Sequence, residues 1–308
     1  MLFATPVFPP YLESPQRSIP ALFEYVWQDD QTRFALVRRT GDQGPQHLAV
    51  LSDVALAPST PLPDITQIGV DTVAPTMDDI LATTEVWGFI VGKPVELIES
   101  IRTYHPDLHP DTLVMVKAAL EEHYAPFSLY RHIRRHMKEH SSEDVVTHLI
   151  DWLFDDAMVI QQATVDAYEP ELTLEAYAAS LQDARPPQER INLMMRFVKT
   201  NQVGTFYVGL QTAVRDATNK ILASLPGASD PIPAPSLAER SQMEMNFDFG
   251  AIVAFLWRYQ PLTDEQIEQT VDWYETESGQ WYVQAYTEAL TSALTAAGEN
   301  VANQIRGL

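Results

Sequence analysis

A chain of 308 residues, 45% of them hydrophobic, has material for an ample core, and its length sets a prior of two domains or one large one. A net charge of -22 and a pI near 4.6 exclude non-specific nucleic-acid binding and an anionic membrane as partner. Zero cysteines exclude disulfides, thiolate metal sites and cysteine nucleophiles, and no apolar run reaches the ~18 residues of a transmembrane helix.

The opening residues, MLFATPVFPPYLESPQ, have no basic start and no long apolar stretch, so they are not a complete signal peptide; an exported chain trimmed of its signal starts the same way. Residues 1–76 hold ten of the 22 prolines, a density that forbids long helices. Three strand-like runs, Ala21–Trp27, Arg33–Arg39 and His47–Leu56, are separated by the turn residues Asp29-Asp30 and Gly41-Asp42-Gln43-Gly44. They predict a small proline-rich antiparallel β segment. A sheet that small cannot bury Phe23, Tyr25, Trp27, Phe34, Leu36, Val50 and Leu51 alone, so it is expected to dock on the helices C-terminal to it.

From Met77 the apolar period becomes helical. Ile80, Leu81, Thr84 and Trp87 fit a helix ending near Gly88, and Lys93–Tyr104 a second. Asp111 is read as the cap of a helix through Tyr124, and Pro126 as the first-turn proline of Phe127–His140. Ser142 caps a helix carrying Val145, Val146, Leu149, Ile150, Trp152 and Leu153; Met158–Tyr168 and a short Leu174–Leu181 come next. Pro186-Pro187 starts a helix through Lys199, and Gly204–Ser224 is another long one. A proline-rich loop, 225–235, then separates the helical region 77–224 from 236–308, which opens with Leu237–Tyr259. The pattern predicts a mainly α chain, a multi-helix bundle.

Pro261–Ala289 carries the clearest local signals. Thr263 is an N-cap with Asp264 and Glu265 in the first turn and Gln266 three residues on, and Ile267, Thr270, Val271 and Tyr274 lie beyond it at helical spacing. Ser278-Gly279 is read as a corner with Gly279 at positive φ, and Trp281 as the start of a second helix running to about Ile305. A weaker copy lies 121 residues upstream, where Ser142, Asp151-Trp152 and Tyr168 match Thr263, Asp272-Trp273 and Ala289. Two duplicated helix-hairpin units are therefore expected, with breaks at Asp155-Asp156 and Ser278-Gly279. The recurring Asp-Trp pairs read as packing anchors, tryptophan inward and aspartate outward, in preference to an acid/base pair.

With those residues in view, 77–308 resembles the domain-of-unknown-function 2059 family, most closely at Leu262–Gln280. The family pattern of acidic helix start, aromatic pair and small residue-Gly-Gln/Lys corner matches Thr263-Asp264-Glu265, Trp273-Tyr274 and Ser278-Gly279-Gln280. The upstream copy departs from it, with Asp156-Ala157-Met158 at the corner. The resemblance implies a helical, often exported bacterial protein without an assigned activity, periplasmic or otherwise exported if a signal was trimmed, with a cytoplasmic location left open.

His132, His136 and His140, four residues apart, share one helix face. Two histidines so spaced can hold zinc if a nearby acid completes the site, but the outer pair lie about 12 Å apart and Arg131, Arg134, Arg135 and Lys138 interleave with them. A solvated basic face is the preferred reading, with those cations pairing to acids of the same protein such as Glu268 and Asp272 in preference to a partner chain. Trp281, Tyr282 and Tyr286 read as a core stripe rather than a ligand groove. No nucleophile elbow, phosphate loop, dinucleotide fingerprint or zinc spacing is present, so no cofactor and no catalytic residue is nominated. Two functions remain open: a non-enzymatic binding or scaffold protein of the cell envelope, whose partner is a protein or a small apolar ligand, or a hydrolase or metal-dependent enzyme with its site between the two helical halves.

Overall fold

The computed structural model describes residues 26–28, 33–37, 47–51, 77, 80–81, 86, 90, 92–106, 108–225 and 231–307. The chain divides into two compact units, one spanning residues 15–85 and a larger one that takes in everything from Val86 on. In the smaller unit the described backbone includes β1 (Val26–Gln28), β2 (Arg33–Val37) and β3 (His47–Leu51), paired antiparallel in chain order. Trp27 stands opposite Phe34, and Phe34 opposite Val50. The side chains of these strands, most of the expected helix ending near Gly88, and residues 226–230 of the proline-rich loop lie outside the described residues.

The regular elements of the larger unit are all helices among its described residues. Its elements are α1 (Lys93–Tyr104), α2 (Pro110–His123), α3 (Pro126–Glu139), α4 (Glu143–Leu153), α5 (Asp156–Asp166), α6 (Leu174–Ser180), α7 (Gln188–Thr200), α8 (Val203–Leu222), α9 (Leu237–Arg258), α10 (Asp264–Tyr274) and α11 (Glu277–Arg306). The protein is thus mainly α, a multi-helix bundle. Prolines open α1, α2 and α3, where the missing N–H has no helical partner to lose. Ser142, Asp155, Thr173, Ser236, Thr263 and Thr276 each cap the next helix with a side-chain oxygen. The cap of α2 is His109, not Asp111: its Nδ1 accepts from the Asp111 N–H at 3.3 Å, because Pro110 already fills the first helical position.

The bundle is organised around α11, whose 30 residues span about 45 Å. α8 runs parallel to it, with Phe206 facing Tyr286 and Lys220 paired to Glu299. α3 runs antiparallel on another flank, bringing His132 to Ser292 and the His140 carbonyl to the Trp281 indole. Small residues make this closeness possible. A Cβ added to Gly298 would sit 2.6 Å from the Ala217 Cβ and 3.1 Å from the Tyr124 hydroxyl, which donates to the Leu294 carbonyl at 2.8 Å. Because α8 precedes the proline-rich loop and α9 and α11 come after it, the loop does not divide separate helical domains. The Asn219 amide of α8 clamps the far side of the loop, donating to Ile232 O and accepting from Ile232 N.

The second corner differs from expectation. α10 ends at Tyr274, Glu275 is its C-cap, and Thr276 caps α11, so Ser278 and Gly279 lie within the first turn of α11. The Thr276 hydroxyl both accepts from the Gly279 N–H and donates to the Trp273 carbonyl, ending one helix and starting the next. Gly279 has a helical backbone, and the one positive-φ non-glycine residue described is Gln202. What position 279 needs is space: an added Cβ would lie 2.4 Å from Trp273 O and 2.6 Å from Tyr274 Cα.

Candidate functional site

A concavity rich in charged side chains lies between α7 and α10, which run parallel. The acids Asp264, Glu268, Asp272 and Glu275 recur along α10 at helical spacing and so form one stripe facing α7. Arg196 answers them: it donates to both Glu275 carboxylate oxygens at 2.7 Å and to Asp272 at 2.6 Å, with Glu268 at 3.7 Å. These bonds hold the guanidinium above its usual pKa and the Glu275 carboxyl below the usual carboxylate range. One turn and a half earlier, Arg190 donates to the carbonyls of Tyr259 and Leu262 and to Asp264, tying the end of α9 to the start of α10. Two shallow clefts flank Arg196, one bordered by Lys199, Thr200, Glu275 and Gln280, the other by Glu189, Asn192, Asp264 and Glu268. Gln280 is itself occupied, its amide donating to the carbonyls of Thr200 and Tyr274.

The histidine face of α3 turns toward α11. His132 Nε2 lies 2.9 Å from Ser292 Oγ, and the Arg135 guanidinium lies 3.5 Å from His132 Nδ1. At that length the Arg135 contact acts mainly through its charge, which favours the neutral imidazole. Burial first, then the charges of Arg135 and His136, lower the His132 pKa; burial and His140 lower that of His136. His136 and His140 stack at 4.2 Å, and His140 Nδ1 lies 2.8 Å from the His136 carbonyl. Among the described residues no three His, Asp or Glu side chains gather in an arrangement that could hold a metal ion.

The expected pairing of the α3 cations with Glu268 and Asp272 is also corrected, since those acids belong to Arg196. Arg131 instead lies over the Phe127 ring at 5.5 Å. The two Asp-Trp pairs do come together, but through their indoles. Trp152 and Trp273 stack face to face with centroids 3.8 Å apart and planes 8° apart, and Tyr274 meets both edge-on. Asp151 is exposed and Asp272 is held by Arg196, so the aspartates form no acid/base pair. Close by, His148 Nδ1 lies 3.5 Å from Ser278 Oγ.

Arg190 and Arg196 were missed from sequence. The signal was present: in an acidic chain with only 20 Lys and Arg, two arginines stand on one helix while four acids repeat along another. What defines the molecule at this point is its class, a mainly α bundle around one long axial helix. No family model, no curated protein and no solved structure matches the chain.

Proposed function

We propose that the protein is a non-enzymatic binding or scaffold protein of the bacterial cell envelope, built on two related helix hairpins. The observation that carries the reading is the state of the charged groups beside its clefts: Arg196 and the acids Glu268, Asp272 and Glu275 satisfy one another. Exposed apolar side chains give a partner something to cover, notably Met245 and Phe249, one turn apart on α9 and 57% and 69% exposed.

The hairpin relation rests on register. N-caps Ser142 and Thr263, helix ends Leu153 and Tyr274, and second caps Asp155 and Thr276 are each 121 residues apart. Envelope residence and kinship with the domain-of-unknown-function 2059 group rest on the Leu262–Gln280 resemblance and on the absence of cysteine.

The competing hydrolase reading draws on the 2.9 Å Ser292–His132 contact. Immobilised full-length protein is challenged with solubilised bacterial envelope, and any retained partner is purified and titrated back. A saturable one-to-one complex supports the scaffold. Turnover of a simple ester that disappears in both Ser292→Ala and His132→Gln overturns it.

A further inference from the structure

Arg258, the last residue of α9, is the least well served of the arginines on this side of the bundle. Its side chain is only 9% exposed, yet Nη1 reaches Tyr168 O at 3.3 Å and Nη2 reaches Asp166 at 3.4 Å. Charge-assisted bonds run nearer 2.7–2.9 Å, roughly what Arg196 achieves at 37% exposure. The Nε–H is buried and has no partner among the described residues. A buried guanidinium with an unmet donor carries a full desolvation cost and calls for an explanation.

The unmet donor identifies the chemistry. Nε and Nη2 form the edge of a guanidinium that matches two oxygens of a carboxylate or phosphate. Asp166 takes half of that edge, at long range, from the exposed end of α5, its own side chain 58% exposed. We propose that Arg258 is the recognition residue of an oxyanion site, taking the carboxylate or phosphate group of a small ligand, and that Asp166 is its internal, displaceable occupant. The site is separate from the α7–α10 cleft and does not depend on the scaffold reading.

The cover over Arg258 is built to move. Between Phe154 and Glu189 only Gln161 and Val165 are buried. The segment is held to α9 and α10 by polar tethers: Tyr168 Oη to Gln260 at 2.7 Å, Trp257 Nε1 to Leu172 O at 2.8 Å, and Thr270 Oγ1 to Gln161 at 3.3 Å. Segments with so little apolar burial open locally without unfolding the core. An oxyanion that takes the Nε/Nη2 edge releases Asp166 and with it the end of α5. The net charge of -22 repels anions in general, so saturable anion binding requires a dedicated cation such as this one.

The test uses the full chain with inorganic phosphate, sodium acetate, and sodium chloride at matched ionic strength, read by amide hydrogen exchange over residues 156–180. Phosphate or acetate should accelerate exchange there saturably, with chloride inert; which of the two acts at lower concentration separates the ligand classes. Asp166→Asn, which removes the competing charge, should lower the half-saturating concentration several-fold. Arg258→Lys, which keeps the charge but loses the two-donor edge, should raise it at least tenfold. Equal responses to all three salts, or an Asp166→Asn protein with unchanged half-saturation, overturns the proposal and leaves water as the partner of Nε.

Discussion

Replacing Gly279 by alanine tests the geometry of the α10–α11 corner. In an ordinary helix position the change stabilises by about 0.5–1 kcal/mol, because glycine loses more backbone entropy on folding. Here the new methyl would meet Trp273 O at 2.4 Å, Tyr274 Cα at 2.6 Å and Tyr274 C at 2.9 Å. All three are backbone atoms and cannot rotate aside, so α10 and α11 must separate. That movement strains the Thr276 cap and the Gln280 bond to Tyr274 O. Overpacking of this kind costs roughly 1–3 kcal/mol, and we expect a net loss within that range. In a unit of this size that lowers Tm by about 2–12 °C. Gly209→Ala is the internal control, since its added methyl meets only Thr291 Cγ2, at an ordinary 3.8 Å; it should be neutral or stabilising by up to about 1 kcal/mol. Urea melts followed by circular dichroism compare the two against wild type. A Gly279→Ala protein as stable as wild type, or two variants shifted in the same direction, would refute the close approach.

Tyr124→Phe removes the buried hydroxyl that donates to Leu294 O and should cost about 1 kcal/mol in the same melts. Glu275 has a folded-state pKa below its unfolded value, chiefly through its bonds from Arg196, so its stabilisation is present above about pH 4.5 and lost as pH falls through the lowered value. Arg196→Met should flatten that acid-side slope in a series of Tm measurements; an unchanged slope would disconnect the pair. Asp248 has the opposite sign: burial raises its carboxyl above the usual range although it accepts from Gly204 N at 2.8 Å. Its ionised form therefore weighs against folding, and the penalty is relieved as pH falls through the raised value; Asp248→Asn should be at least as stable as wild type near neutrality while keeping the acceptor for Gly204.

The parts of this fold that were legible in sequence are those decided locally. Thr263 and Gln266 form the capping box their spacing announced, and Ser142 and Pro126 begin helices where their chemistry allows. Gly279 was misread because a glycine beside a helix break has two explanations, positive φ and close approach, and only the position of a neighbouring backbone separates them. Thr276, three residues before it, held the local clue, since a threonine in that place caps as well as Thr263 does. Arg190 and Arg196 needed knowledge that α7 and α10 lie side by side, which no local period contains. Arg258 needed more: its incomplete bonding is a property of the loop after α5, 85 or more residues earlier in the chain.

If the two hairpins are copies, their divergence has physical causes that can be named. Equivalent residues of two copies touch one another only close to the axis relating them, so the Trp152–Trp273 stack would mark a local two-fold axis. Away from that axis the copies part. The position of Gly279 is filled upstream by Met158, whose sulfur lies 3.9 Å from Thr270 Oγ1, so the first corner cannot close in the same way. Farther on, Pro170 comes after the end of α5 and discourages the residue before it from helical geometry. At the matching distance α11 carries Ala289, Ala293, Ala297, Gly298 and Ala302, all buried. Small side chains on one face let α8 and the Tyr124 hydroxyl approach the α11 backbone, while in the other copy the helix ends at Asp166 with Ala167 as its C-cap. On that reading, small residues in one copy let its second helix run on as the axis of the bundle, while the shorter second helix of the other leads into a segment in which only Gln161 and Val165 are buried.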